Sequence, residues 1–156
     1  MRRVIYNDSD RRIIKKILKY LVIIIFLPWL FYHLFLYIDI KNGCFIKIRP
    51  AMTELSNTTI KKGIRYLKSN YPDEYVKVCN NVTTIDPNIS CGGFGGGCYS
   101  EYNRNPGVID ISVTYGAWKA AAKVIIHETC HVMQFREKRP FSESECYAKD
   151  SIIPWR

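Results

Sequence analysis

One segment near the N-terminus limits what this chain can fold into. The nineteen residues from Tyr20 to Ile38 contain no Asp, Glu, Lys or Arg. A helix needs roughly 20 apolar residues to cross the hydrocarbon core of a bilayer, and this run with its flanks reaches that length. Pro28 would kink such a helix but does not forbid it in a membrane. We therefore predict one transmembrane helix over residues 20–40, followed by a folded domain over residues 41–156.

The charges on either side of this helix predict its orientation. Residues 1–19 carry seven basic and two acidic side chains, a net charge of +5, whereas the whole chain carries +9 and residues 39–156 therefore carry +4. Lys and Arg concentrate on the cytoplasmic side of membrane helices. We expect a basic cytoplasmic arm over residues 1–19 and a domain outside the cytoplasm, in a periplasm, a lumen or at the cell surface. Because most of the charge lies in the arm, it does not indicate a nucleic-acid partner.

A cleaved signal peptide is the alternative interpretation of the apolar segment. Such a peptide has an apolar region of about 7–15 residues followed by a cleavage site with small residues. The segment here is longer, and no small-x-small site follows it. These features favour a signal anchor that stays in the membrane.

Six cysteines follow the apolar segment, and none precedes it. An even number of cysteines indicates a compartment in which disulfides form. No C-x-x-C pair occurs, so the spacing does not indicate a zinc ribbon. Five glycines separate Cys91 from Cys98, which predicts a flexible loop that a disulfide could close.

The residue pattern after the anchor alternates helical and extended segments. Apolar side chains at helical spacing predict helices, and alternating apolar and polar side chains predict strands. The expected elements are a linker over 41–52 with a short strand at 44–48, helices over 53–69 and from Pro72 toward Val78, a loop with a short strand over 80–90, a strand over 108–114, and helices over 117–137 and from about Ser142. The predicted fold class is α+β, with helices packed against a small sheet.

The chemistry of the chain is indicated by His127-Glu128-Thr129-Cys130-His131, an HExxH motif on a predicted helix. Side chains four residues apart lie on one face of a helix, so two imidazoles can bind one tetrahedral zinc ion. Zinc lowers the pKa of a bound water toward about 7, and a neighbouring carboxylate can take its proton. The spacing therefore predicts His127 and His131 as zinc ligands and Glu128 as the general base.

A catalytic zinc ion needs a third protein ligand, and two carboxylates follow the motif at a short distance. Both Glu143 and Glu145 lie at the start of the helix predicted near Ser142. Ser142 followed three residues later by Glu145 forms a capping box, which would engage Glu145 at the helix N-terminus. We therefore favour Glu143 as the third ligand and keep Glu145 as the alternative.

With these residues the chain resembles the zincin metallopeptidases, in particular the branch with a glutamate ligand, the gluzincins, in a minimal form. That resemblance covers roughly residues 108–150 and implies HExxH on one helix and the glutamate on the next. The second helix of this branch often reads E-x-x-A, which both Glu143-Ser-Glu-Cys146 and Glu145-Cys-Tyr-Ala148 approach. The expected function is hydrolysis of peptide bonds in a peptide or protein substrate.

The resemblance also implies roles that are less well defined by the residues. The strand over 108–114 would be the edge strand along which substrates lie. Tyr147 or Tyr115 could stabilise the oxyanion. The aspartate that often follows the glutamate ligand is missing from its usual place, which leaves the groups that orient the ligands undetermined.

Cys130 and Cys146 occupy positions where small residues would normally pack the two ligand helices together. We hypothesise that they form a disulfide that joins these helices, which would stabilise so small a domain. Two buried free thiols are the alternative.

Two other functions fit the same sequence. A non-catalytic domain tethered to the membrane could bind zinc structurally, with Cys130 or Cys146 as a fourth ligand. A disulfide-stapled binding module could contain no metal. A change of Glu128 to glutamine separates the first from a peptidase, and a chelator separates the second.

Overall fold

The computed structural model describes residues 8–50, 57–88, 91, 96–99, 106–112 and 114–154. It divides into two units, Met1–His33 and Leu34–Arg156. The first helix, α1, extends over Asp8–Phe35, and its part Arg11–Phe35 is long and apolar enough to cross a membrane by length and composition. Its large apolar side chains are exposed, as the lipid-facing surface of such a helix would be.

The end of this helix lies earlier than the boundary predicted at residue 40. Helix α1 ends at Phe35, and Leu36–Asp39 form strand β1, the first strand of the domain. Tyr37 is only 6% exposed, and its hydroxyl lies 3.2 Å from that of Tyr75. A buried strand and the last turn of a membrane helix are equally apolar, so composition alone could not separate them.

The sheet contains five strands in the order β1-β2-β3-β5-β4. The remaining strands are β2 (Cys44–Ile48), β3 (Thr84–Pro87), β4 (Gly97–Cys98) and β5 (Val108–Ile111). The pairs β2–β3 and β3–β5 are parallel, whereas β1–β2 and β4–β5 are antiparallel. The predicted linker over 41–52 thus contributes β2 to the sheet, after a short 3-10 turn at Ile40–Asn42.

The strand predicted over 108–114 is present as β5, but the expectation that it forms the edge of the sheet is wrong. Strand β5 is not an edge strand, because it pairs with β3 on one side and with β4 on the other. The edge is formed by β4, which pairs through only two residues, Gly97 with Ile111 and Cys98 with Asp110. A two-residue strand within a glycine-rich stretch has no alternation of side chains by which a sequence could reveal it.

Four helices complete the described part of the domain; the first three pack on one another, and the second and third of them also pack on the sheet. They are α2 (Thr58–Asn70), α3 (Pro72–Asn81), α4 (Trp118–Arg136) and α5 (Glu143–Asp150). In β2 the side chains of Cys44, Ile46 and Ile48 point into the core and those between them are exposed. This alternation places the helices on one face of the sheet, so the coarse α+β class is confirmed.

Helix α4 crosses the middle of the domain because its sequence allows close packing on nearly all sides. It contains neither Gly nor Pro, and its residues Ala121–Ile126 are buried. Gly63 of α2 brings the two backbones together, since an added Cβ would lie 3.0 Å from the carbonyl oxygen of Trp118. This close contact packs α4, the helix that carries the HExxH motif, directly against α2.

Three disulfides join these elements. They connect Cys44 with Cys79, Cys91 with Cys98 and Cys130 with Cys146. The expectation of a disulfide-bonded domain is therefore confirmed, and among the described cysteines none is a free thiol. The third disulfide is the hypothesised link between α4 and α5.

Candidate metal centre

The two histidines of the motif lie on one face of α4, where the helix leaves the core and faces α5. Their side chains are 12% and 5% exposed for His127 and His131, respectively. The two residues are four positions apart in the chain, so their rings lie one helical turn apart, with centroids 5.0 Å from each other. The helix therefore brings two imidazoles together at the border between the core and solvent.

Glu143 is the third member of this group, with its Oε2 nearest to His127 and its Oε1 nearest to His131. The Nε2 atoms of His127 and His131 lie 3.3 Å apart. The carboxylate of Glu143 lies 3.1 Å from Nε2 of His127 and 3.4 Å from Nε2 of His131. Ligands about 2.0–2.1 Å from a tetrahedral zinc ion are about 3.3 Å from one another. The distances between the two imidazoles and from each imidazole to the nearer carboxylate oxygen are close to this value, and the three side chains lie near enough to one another to share one metal ion.

The hydrogen bonds behind the rings determine where their protons lie. Nδ1 of His127 is 3.0 Å from a carboxylate oxygen of Asp150, and Nδ1 of His131 is 3.0 Å from Oε1 of Gln134. Both of these oxygens only accept, so each Nδ1 must donate. In the neutral form of each ring Nε2 then carries a lone pair, and both lone pairs face the carboxylate of Glu143.

The orientation of the Gln134 amide supports this assignment. Its Oε1 accepts from the backbone N–H of Ser142, and its Nε2 donates to the carbonyl oxygen of Ser142 and to the carboxylate of Glu145. Exchanging the two amide atoms would place a donor against a donor and acceptors against acceptors. Gln134 is fully buried, so this network holds it and the His131 ring in one position.

Asp150 contacts both His127 and the buried side chain of Lys123. One of its oxygens contacts His127, and the other lies 3.3 Å from Nζ of Lys123. Lys123 and Asp150 are 9% and 5% exposed, so this ion pair is shielded from water. A lysine one helical turn before His127 thus orients the carboxylate that in turn orients the ring.

Sequence reasoning missed Asp150 because it lies farther along α5 than the resemblance led us to expect. Glu143, Tyr147 and Asp150 are spaced by four and three residues, which places all three on one face of α5. All three contact His127, through its Nε2, its ring face and its Nδ1, respectively. The helical spacing of these residues was the signal that could have identified Asp150.

Glu128 lies under the edge strand, and its environment is unusual for a carboxyl group. Its residue is 2% exposed, and Oε2 has no hydrogen-bond partner among the described residues. Burial, together with the nearby carboxylates of Glu143 and Asp110, raises the pKa of Glu128 to about 8. A buried carboxyl group with an unpartnered oxygen, next in the chain to His127, suits a group that exchanges protons.

Gly97 has no side chain, and the Glu128 side chain occupies the place where a Cβ of residue 97 would lie. A Cβ at this position would collide with Oε1 of Glu128 and lie 2.6 Å from Cγ1 of Val124. Strand β4 can therefore approach α4 only because it has no side chain at this point. The edge strand and the expected general base are in direct contact.

Glu145, the alternative third ligand, lies outside this triangle. Its backbone N–H donates to the Ser142 hydroxyl, as in a capping box, but its carboxylate accepts from Arg139 and Gln134. Hydrogen bonds from Arg139, Gln134 and Lys149 lower the pKa of Glu145 to about 2. The structure thus brings Glu143 to the histidines and keeps Glu145 with the loop between α4 and α5.

The two tyrosines considered for oxyanion stabilisation lie in different surroundings. The ring of Tyr147 lies beside that of His127, with centroids 4.6 Å apart, and is 61% exposed. Tyr115 lies in the turn before α4 and is 74% exposed. Of the two, Tyr147 is the one that borders the candidate metal centre.

Comparison with known proteins gives no further information on this chain. No family model, no curated protein and no solved structure matches it. Its function is therefore inferred from the geometry of its own residues.

Proposed function

We propose that this chain is a membrane-anchored zinc metallopeptidase that hydrolyses peptide bonds. One observation carries the proposal: the Nε2 atoms of His127 and His131 and the two carboxylate oxygens of Glu143 converge, with 3.1–3.4 Å between neighbouring atoms of different residues. Three acceptors in this arrangement repel one another unless a cation lies between them. Two imidazoles and one carboxylate are a ligand set that zinc readily accepts.

The residues around the site suit hydrolysis by activated water. A zinc ion bound there would supply a water of lowered pKa and would polarise a peptide carbonyl. Glu128 would accept the proton of the attacking water at its unpartnered Oε2 and later deliver it to the leaving amine. Asp150 and Gln134 would keep both rings in the tautomer that binds metal.

In the proposed function, the helices and the edge strand of the domain take the roles that they have in zincins. Helix α4 would be the active-site helix and α5 the ligand helix, with the antiparallel edge strand β4 beside Glu128. An extended substrate could pair with β4, whose outer side faces no other strand of the described sheet. In this proposal α1 anchors the chain, with the basic arm in the cytoplasm and the domain outside it.

A structural zinc site is the competing function, and the disulfides argue against it. A closed site would need a fourth protein ligand, for which the sequence offered Cys130 and Cys146. These two cysteines are joined to each other and present no thiolate. The candidate group in the described part of the chain has three members, and Glu143 is 66% exposed, so a fourth position would open to solvent.

The decisive experiment uses the full-length chain in detergent micelles. Metal content would be measured by elemental mass spectrometry on this protein and on a His131→Ala variant. We expect about one zinc ion per chain, lost in the variant. No zinc in a well-folded sample would contradict the metal site and leave a disulfide-stapled binding module as the remaining function.

Catalysis requires a separate measurement. A peptide library would be incubated with the parental chain and with Glu128→Gln, which preserves the shape of the side chain but cannot take a proton. A peptidase should lose its cleavage activity in the variant and keep its zinc. Zinc binding without cleavage in either protein would support the structural site instead.

A further inference from the structure

The loop that joins the two ligand helices forms a second feature beside the metal centre. Residues 135–141 are all exposed and surround an open hollow of about 690 Å³. Its lining is formed by Phe135, Arg136, Lys138, Arg139, Pro140 and Phe141. This volume is within the range of pockets that hold small ligands or substrate side chains.

Two phenylalanines form the apolar part of this hollow. Phe135 and Phe141 are 40% and 43% exposed. The Phe141 ring is nearly parallel to the His131 ring, with 15° between the planes and 5.2 Å between the centroids. Tyr99 contacts both phenylalanines and supports them from below the hollow. The apolar wall of the hollow is therefore in direct contact, through Phe141, with the ring of His131, a proposed metal ligand.

The rim of the hollow is positively charged. Arg139 is balanced by Glu137 and Glu145, with which it forms ion pairs. In the described part of the chain, Arg136 donates to neutral oxygens of Asn80 and Asn81, so no carboxylate offsets its charge there. Lys138 lies in the turn after α4, has a positive φ of 54° and is exposed to solvent. Arg136 and Lys138 thus give the rim an excess of positive charge.

Hydrogen bonds hold the loop in shape before any ligand arrives. At one end the backbone N–H of Arg139 donates to the carbonyl oxygen of Gln134. At the other end the Gln134 side chain bonds to both backbone groups of Ser142. The same side chain contacts His131, so the hollow and the metal centre share one rigid support.

We propose that this hollow is the specificity pocket of the enzyme and selects a peptide in which an aromatic residue lies next to an acidic residue. The aromatic ring would pack on Phe135 and Phe141, and the acidic side chain would pair with Lys138 and Arg136. Exposed apolar surface rimmed by charge is typical of such binding sites. The inference rests on the proposed peptidase function, since it places the pocket beside the scissile bond.

The test measures binding apart from catalysis. The full-length chain with Glu128→Gln, in detergent micelles with zinc sulfate, would be titrated against three fluorescein-labelled Gly/Ser peptides and followed by fluorescence anisotropy. The peptides contain Glu-Phe, Glu-Ala or Lys-Phe at one central position. We expect the Glu-Phe peptide to bind roughly tenfold more tightly than either of the others.

Two variants assign the preference to the pocket. Lys138→Glu should remove the preference for Glu over Lys, and Phe135→Ala should remove the preference for Phe over Ala. Neither residue contacts the three proposed ligands in the described structure, so zinc content should not change. Phe45→Ala is the matched control, because Phe45 is 57% exposed on β2 and should alter neither preference.

The outcomes separate the pocket from the peptidase. Equal binding of the three peptides, no binding, or preferences that survive both variants would overturn the pocket. Hydrolysis of these peptides by the parental chain without any preference would overturn the pocket and leave the peptidase intact. A preference that the two variants remove, in a chain that cleaves none of the peptides, would support the pocket and contradict the peptidase.

Discussion

His127 and Asp150 are 3.0 Å apart between Nδ1 and a carboxylate oxygen, although 23 residues separate them in the chain. This contact joins the last turn of α5 to the middle of α4. It orients the ring whose other nitrogen faces Glu143, at the opposite end of the same short helix. Helix α5 therefore supplies both a proposed ligand and the group that sets the tautomer of another ligand.

The first prediction concerns Asp150. Asp150→Asn keeps the size of the side chain but removes the negative charge that Nδ1 of His127 donates to and that Lys123 balances. We expect zinc affinity to fall by about 10–100-fold, the usual effect of losing such a partner. Competition with a fluorescent chelator measures this affinity directly. Asp73→Asn, in the first turn of α3, is the control and should leave it unchanged. Equal affinity of the Asp150 variant and the parental chain would show that the contact does not serve the metal.

The second prediction distinguishes the two glutamates at the start of α5. Glu143→Gln should weaken zinc binding strongly, because it removes one of the three converging ligands. Glu145→Gln should keep the zinc but lower the melting temperature, because it weakens the ion pairs with Arg139 and Lys149. Measurement of metal content and thermal unfolding on both variants gives the comparison. The reverse pattern would make Glu145 the ligand.

The candidate metal centre also shows how much of a site local sequence patterns can predict. Helical spacing placed His127 and His131 on one face of α4, and the capping pattern correctly located the start of α5. Helical spacing also brings Gln134 beside His131, three residues earlier in α4, but it could not reveal that the backbone of Ser142 fixes the orientation of the Gln134 amide. Local patterns thus predict which helices carry the proposed ligands, whereas the groups that orient them depend on contacts between helices.

The two outer strands of the sheet, β1 and β4, show a second limit of prediction from sequence. Strand β1 belongs by composition to the apolar segment before it, and only its pairing with β2 assigns it to the domain. Strand β4 is too short to leave a pattern and exists because Gly97 lets it approach α4. Both edges of the sheet were therefore beyond what periodicity could predict.

The third prediction concerns the pH dependence of stability in the metal-free chain. The pKa of Glu128 is raised from 4.5 to about 8 in the folded chain. Between these values the folded state holds a proton that the unfolded state has released, so the free energy of unfolding falls as pH rises. The full effect across this window is on the order of a few kcal/mol.

Chemical denaturation with a chelator present, at several pH values from about 5 to 8, measures this effect. Glu128→Gln should flatten the curve, because glutamine does not titrate. Glu137→Gln, an exposed residue in the loop after α4, is the control and should keep the slope. A slope that persists unchanged in the Glu128 variant would assign the pH dependence to another group.

The fourth prediction concerns Gly97, where the edge strand meets the expected general base. Gly97→Ala places a methyl group against Oε1 of Glu128 and close to Cγ1 of Val124. Either the strand or the carboxyl group must then move, although the three ligand atoms lie outside the collision. We expect the variant to keep its zinc and to lose most of its peptidase activity, by roughly 10²-fold, the usual effect of misplacing a catalytic group by about 1 Å.

Zinc content, thermal unfolding and cleavage rate, measured on the same Gly97→Ala sample, separate the two possible movements. Displacement of Glu128 alone should lower kcat and leave the melting temperature nearly unchanged. Displacement of β4 should also loosen its pairing with β5 and speed amide hydrogen exchange at Ser112, whose backbone N–H donates to the carbonyl oxygen of Gly96. Gly43→Ala is the control for a methyl group added without a collision, because a Cβ there meets no atom within 4 Å. Since Gly43 has a positive φ of 63°, this variant should lose some stability but keep its activity. Full activity in the Gly97 variant would mean that Glu128 need not lie under the edge strand to act, and the proposed role of its buried position would fall.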